Sequence, residues 1–315
     1  MKALIYKEFG PADVLAWVDD WPYPELRDDS ILVAVAAGSV NPKDVLLRKG
    51  KFSRTLARDP LPRASGLDVA GRVVAVGARV SEFAVGDAVY GMTNHFAGGV
   101  HVEVAAFRRG ELQRAPSNLS LETAAAVPLA AQTALQALRD CGSVSPGHRL
   151  LINGASGGVG HFAVQIAKAM GAEVHAACGP AHVEFVESLG ADTVYDYTRQ
   201  PPTGLDRGFD VIFDVFGKLK KSAFARQLER HGVYVSTLPK PATLSGELLA
   251  RTGISRRSRL IQVASRADDL EELSQWIETD KLRPHVERTY PVQHAADAHR
   301  HVEARHTVGK VCLTF

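Results

Sequence analysis

The sequence predicts an α/β protein in two parts, an antiparallel β domain followed by a doubly wound, parallel-sheet domain. Three observations carry this expectation. Residues 1 to about 110 run in short strand-like segments separated by Gly, Pro and Asp. From about residue 120 brief apolar runs alternate with helical patterns. A glycine-rich turn at 154–160 joins one such run to an amphipathic segment. The expected domains are 1–119, completed by 265–315, and 120–264.

In the first domain the strands are expected at "KALIYKEF", "ILVAVAAG", "VAGRVVAVG", "DAVYG" and "VHVEVAAF". In the second, "RLLI" precedes a helix from about Gly158, "EVHAAC" precedes "HVEFVESLG", "TVYDY" follows, and "FDVIFD" precedes a helix "SAFARQLERHG". "VYVST" and "RLIQV" complete the alternation, which predicts crossover connections and a parallel sheet. The last segment combines a helix, with Asp268 as its cap and Glu271 three residues on, with two strands, "VERTYPV" and "KVCLTF". Strands that follow a doubly wound region are expected to return to the first domain.

Composition bounds the function. The chain has 315 residues, 45% of them hydrophobic and 23% charged, enough to bury a large core, and its formal net charge of +2 gives no reason to expect nucleic acid or an anionic membrane as partner. The short basic run "SRRSR" at 255–259 is expected on a solvated loop or helix end. Cys141, Cys178 and Cys312 form no paired motif, which predicts a reducing compartment, the cytoplasm. The opening "MKALIYKEFG" alternates like a strand and lacks the apolar run of a leader, and no segment reaches the roughly 18 apolar residues of a membrane span.

The stretch "LLINGASGGVGHFAVQIAKAMG" at 150–171 carries the chemistry. Val159, Phe162, Ala163, Ile166, Ala167 and Met170 share one helical face behind a short strand. Ala155, Gly157 and Gly160 fall where a dinucleotide fingerprint needs small residues, for the turn, for approach of a pyrophosphate to backbone N–H groups, and for packing of helix on sheet. The turn from Gly154 through Ala155, Ser156, Gly157, Gly158 and Val159 to Gly160 is thus the expected cofactor cradle. The second strand then selects the dinucleotide. Between Glu173 and Glu184, through Cys178 and Gly179, there is no carboxylate to accept from a ribose 2′-hydroxyl, which favours NADP(H). His182, Tyr197 and Arg199 are candidates to meet the 2′-phosphate, with Tyr197 preferred and ordinary surface roles open for the others.

Taken together, these segments resemble the medium-chain dehydrogenase/reductase superfamily, and most of all its zinc-free quinone oxidoreductase branch. The stretches that carry the likeness are "GSVNPKDVLLRKGKF" at 38–52, "SGLDVAGRVVAVGARVSEFAVGDAVYG" at 65–91, "AAAVPLAAQTALQAL" at 124–138, the glycine turn, "LGADTVYDY" at 189–197 and "HTVGKVCLTF" at 306–315. The resemblance implies a GroES-like β-barrel catalytic domain and a Rossmann cofactor domain. It also implies a homodimer, for which "RLIQV" would be the sheet edge. Where zinc-dependent members place a Cys before an Asp, this chain has Asn41 ahead of Asp44, and where they place His-Glu it has Leu67-Asp68; no metal site is expected. His294, His299, His301 and His306 show no pair at i, i+3 or i+4.

Residue roles follow from the same resemblance. Asn41 is expected to donate to a substrate carbonyl or to the nicotinamide, although Asn before Pro also forms turns. Asp44 would orient groups nearby or cap a helix. Thr133 and Lys310 resemble cofactor-proximal residues. Phe216 and Gly217, and then Ser236, Thr237 and Leu238, end successive strands where open α/β sheets bind ligands. Phe52, Tyr90 and Phe96 are expected to wall the substrate pocket. Enoyl-thioester reductases have a proton-donating Tyr where this chain has Phe52, and a phenyl ring is no acid. The expected activity is NADPH-dependent reduction of quinones or α,β-unsaturated carbonyl compounds. The alternatives are enoyl-thioester reduction and a nucleotide-binding scaffold without turnover.

Overall fold

A computed structural model describes residues 1–56, 59–217, 219–239 and 258–315. It divides into two compact units: Met1–Leu129 with Ala264–Asp280 and Pro284–Phe315, and Ala130–Val263 with Lys281–Arg283. The division falls later than the change of rhythm near 120, because the short helix α2 (Leu121–Ala124, described below with the first unit) packs on the β sheet.

The first unit opens with strands β1 (Ala3–Tyr6), β2 (Leu15–Val18) and β3 (Ser30–Val40), then helix α1 (Pro42–Arg48) and strands β4 (Arg63–Ala64), β5 (Asp68–Val76), β6 (Ala88–Met92), β7 (Val104–Arg108) and β8 (Leu112–Arg114). β1 pairs with β2 and β4 in a small antiparallel sheet. β3 is the spine: it pairs antiparallel with β5 over most of its length and with β7 at its start. Ile31, Val33 and Val35 alternate into a core with Val69, Val73, Val89, Phe107 and Leu112, as a half-buried pleated strand requires. Pro42 follows Asn41 at the start of α1, a position where a missing N–H costs nothing. Ser120 caps α2 by accepting from the Thr123 N–H.

Helix α3 (Pro128–Gln136) leads into the second unit, whose described residues form a six-stranded, all-parallel sheet. Its strands are β9 (Arg149–Asn153), β10 (Glu173–Cys178), β11 (Thr193–Asp196), β12 (Phe209–Asp214), β13 (Leu228–Ser236) and β14 (Ser258–Leu260), with helices α4 (Gly160–Ala169) and α5 (Val183–Ser188) among them. The spatial order is β11-β10-β9-β12-β13-β14, so the chain winds to one side from β9, returns, and continues to the other side from β12. The gap between the carboxyl ends of β9 and β12 is the topological switch point at which such sheets bind ligands. Among the described residues β14 stands at the edge, covering Ser258 to Leu260 of the expected "SRRSR" and "RLIQV" segments; residues 255–257 lie outside the described residues.

The chain then returns to the first unit through α6 (Ala267–Glu278), β15 (Val286–Pro291), α7 (Ala295–Glu303) and β16 (Lys310–Thr314). β16 pairs antiparallel with the end of β3, Val311 opposite Val40 and Cys312 opposite Ser39, and parallel with β15.

Two expected features differ. The "SAFARQLERHG" segment is not an α-helix: one 3₁₀ turn at Lys221–Phe224 gives way to β13 at Leu228. Phe224 and Leu228, four residues apart, mimic helical spacing, but Phe224 is buried among Leu205, Phe209 and Tyr234 while Leu228 pairs with Phe209 as a strand residue. The Gln227 carboxamide donates to the carbonyls of Thr203 and Leu205 and so fixes the chain between these two states. Asp268 is not a helix cap either, since α6 starts at Ala267 after the extended Arg266. Asp268 and Asp269 lie in the first turn, where carboxylates oppose the helix dipole favourably.

Candidate active site

In the first unit the site is built around Asp68, the first residue of β5, whose side chain is fully buried. One carboxylate oxygen accepts from Ser39 Oγ at 2.5 Å and Asn41 Nδ2 at 2.8 Å; the other accepts from the Leu129 N–H at 2.8 Å, at the start of α3. Lys310 Nζ lies 3.6 Å from the same carboxylate and donates to Asn41 Oδ1 at 2.6 Å. The pairing of β16, β3 and β5 places these residues together, since Ser39 is opposite Asp68 on one side and Cys312 on the other. A buried charge is tolerable only when paired and hydrogen-bonded, and each oxygen of Asp68 is satisfied in this way.

This geometry places Asn41 inside the network: its amide nitrogen donates to Asp68 and, at 3.4 Å, to the Ser39 carbonyl, and its oxygen accepts from Lys310. The Asn41 backbone N–H donates to Asp44 Oδ2 at 2.8 Å, which makes Asp44 part of the α1 start. The other Asp44 oxygen has no partner, and burial pushes the carboxyl up to about 7 against the backbone hydrogen bond from Asn41.

Beside this network stands a corner that sequence reasoning missed. Lys43 Nζ sits 4.3 Å from the centre of the Phe96 ring, and Phe96 meets Phe52 edge-on at 5.2 Å between centroids. Phe52 packs on the cluster of Leu47, Leu56 and Ala97. Phe96 remains 41% exposed. Burial holds Lys43 below the usual lysine range, with Asp44 and Asp68 acting the other way. Lys43 stands in the same segment as Asn41 and Asp44; a cation in the first turn of a helix that leads to a Phe was the signal. Tyr90 does not join this corner: it is buried, donating to the Leu270 carbonyl at 2.6 Å and sharing a hydrogen bond with Ser274 Oγ at 2.8 Å, so it clamps β6 to α6.

The second unit carries the glycine turn between β9 and α4. Gly154 has φ +92°, and a Cβ there would meet Phe216 at 3.2 Å. A Cβ on Gly160 would stand 2.1 Å from the Gly154 carbonyl oxygen, so Gly160 is fixed by close packing. A Cβ on Gly157 would meet nothing nearer than 3.6 Å, which leaves that face of the turn free for a ligand. Ala155 is buried, whereas Ser156, Gly157, Gly158 and Val159 are half-buried. Asp214, which ends β12, braces this turn: it accepts from Asn153 Nδ2 at 2.8 Å, the Gly217 N–H at 2.9 Å and Tyr234 Oη at 2.6 Å. Asp214 was another residue that apolar periodicity could not single out.

At the exit of β10, Cys178 is buried, and burial pushes its thiol up to about 11. A Cβ on Gly179 would lie 3.5 Å from Tyr197 Oη and 3.8 Å from His182 Cδ2, so both candidate side chains flank this exit. Tyr197 is 51% exposed. Asp196, on the adjacent strand, is engaged with Thr198 through the backbone N–H and Oγ1, and Arg199 stands 3.7 Å from Asp196. Thr237 Oγ1 donates to the Val215 carbonyl, Ser236 Oγ accepts from the Leu238 N–H, and Leu238 lies against Gly217. Phe216 is partly exposed and Thr133 is buried on α3.

The residues at the expected zinc positions do not fit a metal. Asn41 is bonded to an ammonium and a carboxylate, and Leu67 is a buried hydrocarbon. Among the described residues no three His, Cys, Asp or Glu side chains gather as ligands. His299 is buried, while His294 and His301 face Asp297 and Glu287. Among the described residues no helix is long and apolar enough to cross a membrane.

A β unit with a buried acid–amide–lysine network, and a parallel-sheet unit with a glycine turn at its switch point, define the class as a two-unit nucleotide-dependent oxidoreductase. Residues 27–129 match the alcohol dehydrogenase GroES-like domain family and residues 189–313 the zinc-binding dehydrogenase family. The chain is 33% identical to an NADPH-dependent alkenal/one oxidoreductase of Arabidopsis thaliana, covering 99% of this chain and 79% of that protein. It is 32% identical, over the same shares, to a 2-methylene-furan-3-one reductase of Solanum lycopersicum. A solved quinone oxidoreductase of Coxiella burnetii matches with TM-score 0.90 and 29% identity, over 100% of this chain and 99% of that one. The chain belongs to the medium-chain dehydrogenase/reductase superfamily, among its quinone and alkenal oxidoreductases.

Proposed function

We propose that this protein is a zinc-independent, NADPH-dependent reductase of quinones and α,β-unsaturated carbonyl compounds. The observation that carries the reading is the glycine turn at the switch point, with its open Gly157 face and a β10 exit flanked by Tyr197 and His182 and free of its own carboxylate. Gly154 to Gly160 would hold the pyrophosphate on backbone N–H groups at the positive end of α4, with Phe216, Gly217, Ser236, Thr237, Leu238 and Thr133 toward the remainder of the dinucleotide. Tyr197 and His182 can donate to a 2′-phosphate. When bound, NADPH supplies a hydride. The chain's own work is to place a planar acceptor against Phe52 and Phe96, to meet the charge that develops on its oxygen, and to leave protonation to water, since Phe52 carries no acid.

The reading extends to a homodimer formed through the β14 edge and to a cytoplasmic location, in keeping with Cys141, Cys178 and Cys312 forming no paired motif in the sequence. The test is oxidation of NADPH and of NADH by the purified protein with 1,4-benzoquinone, 9,10-phenanthrenequinone, an alkenal and crotonyl-CoA. Turnover of NADPH with the quinones or the alkenal, and little with the thioester, is the expected result. Tight NADPH binding without turnover of any acceptor would remove the reading in favour of a binding protein.

A further inference from the structure

We propose that Lys43 is the hydrogen-bond donor to the carbonyl oxygen of the acceptor, and that with Phe52 and Phe96 it restricts the site to compact planar acceptors. The inference rests on the reductase reading and identifies the residue that selects its substrate.

Asn41, Lys310 and Tyr90 are committed. Asn41 spends its amide on Asp68 and Lys310, and the Lys310 ammonium is buried between the same two partners. Tyr90 points its hydroxyl at Leu270 and Ser274. The unpartnered oxygen of Asp44, once ionised, can only accept. Lys43 differs: among the described residues its ammonium has a ring as neighbour, Phe96, and no hydrogen-bond or ion-pair partner. An ammonium presents three donors, and a ring face satisfies none of them as an oxygen would. The side chain springs from the first turn of α1, which Pro42 and the Asn41–Asp44 hydrogen bond hold in place. Nζ stands over the Phe96 ring, which Phe52 meets edge to face, so a flat conjugated system seated at the exposed edge of Phe96 would have its oxygen within reach of Nζ.

The electron balance is simple. A hydride from NADPH forms a C–H bond at the conjugated carbon, the C=C pair shifts, and the carbonyl oxygen receives the charge. The Lys43 N–H bonds to that oxygen, water then supplies one proton, and Lys43 ends as it began. The donor must be protonated, so kcat/KM falls at alkaline pH as Lys43 deprotonates. Asp44 and Asp68 face it and favour the charged form, and Lys310 lies beyond Asp68.

The test is Lys43→Met, read by steady-state kinetics with an alkenal and with 1,4-benzoquinone, by NADPH titration, and by the absorbance of bound 4-nitrophenol, an oxyanion probe. The expected result is a loss of about 100-fold in kcat/KM, an unchanged NADPH affinity, loss of the alkaline limb, and loss of the phenolate absorbance that the wild type induces. Lys43→Arg is expected to restore most of the rate and move the limb upward. A Met variant within about threefold of wild type in kcat/KM, or one that keeps the same alkaline limb, overturns the proposal while leaving the reductase reading standing. A wild type that binds NADPH and reduces neither acceptor overturns both.

Discussion

Lys310 Nζ donates to Asn41 Oδ1 at 2.6 Å, joining the start of the last strand to the start of the first helix across Asp68. The contact spans 269 residues of sequence, and both side chains are buried. Its energetic meaning is that a lysine ammonium neutralises a carboxylate that has no access to water.

Removing that ammonium leaves Asp68 buried without its countercharge. Lys310→Met is expected to cost about 3–5 kcal/mol of stability, measured by urea unfolding. The double variant with Asp68→Asn should recover part of the loss, because the unpaired charge is then gone. An additive double variant would show that the two side chains are not coupled.

The same unit holds groups whose titration opposes folding in opposite senses. His101 and His299 are fully buried, and burial pushes each imidazole down to about 3 from an ordinary 6.5, with the backbone at Ser39 and Asp68 acting the other way on His101. Only the unfolded chain then takes up protons between about 6.5 and 3, so their contribution is present above 6.5 and lost as pH falls. Asp44, raised by burial from 3.8 to about 7, acts the other way, and stability falls as pH rises between those values. Asp44→Asn should therefore steepen the loss of stability on acidification from pH 6.5 to 4, and His299→Leu should flatten it. Unfolding free energies across that range, with unchanged slopes in both variants, would refute the assignment.

Substitutions at Gly157 and Gly160 are expected to separate ligand contact from packing. A Cβ at Gly160 meets the Gly154 carbonyl oxygen at 2.1 Å, whereas one at Gly157 meets nothing nearer than the same oxygen at 3.6 Å. Gly160→Ala is expected to lower the melting temperature by several degrees, since about 1–3 kcal/mol of strain enters a packed turn. Gly157→Val should melt like the wild type and bind NADPH at least about tenfold more weakly. Calorimetry and fluorescence titration on the two variants decide the matter.

Asp214 is expected to act on the cofactor without touching it. Asp214→Asn keeps the volume but turns a donor toward the Tyr234 hydroxyl and weakens the hold on Asn153 and Gly217. NADPH affinity should fall about tenfold, equivalent to roughly 1.4 kcal/mol. A variant with wild-type affinity would show that the turn needs no brace from β12.

The sequence by itself determined the two architectures and the glycine turn, because both are written in local patterns. Alternation along "ILVAVAAG" makes a strand whatever its partners, and a strand, small residues at 155, 157 and 160, and an amphipathic helix can form only one kind of turn. The absence of a carboxylate between Glu173 and Glu184 is likewise a fact of the chain. Local pattern failed where one spacing serves two structures: Phe224 and Leu228 suit a helix as well as a turn entering a strand, and β pairing with Phe209 decided for the strand.

Tertiary structure alone decided which polar groups are spent and which are open. Asn41 is read in the sequence as a donor at a turn, and the fold adds Asp68 and Lys310, from two other strands, as partners of its amide. Tyr90 looks like a pocket wall until α6 supplies a carbonyl and a hydroxyl for it. Lys43, by contrast, looks ordinary until Phe96, 53 residues away in the chain, is brought under its ammonium. A hydrogen-bond donor serves a ligand only if the fold has left it unsatisfied. That depends on partners distant in sequence, whose meeting is fixed by strand register and packing and by no local pattern.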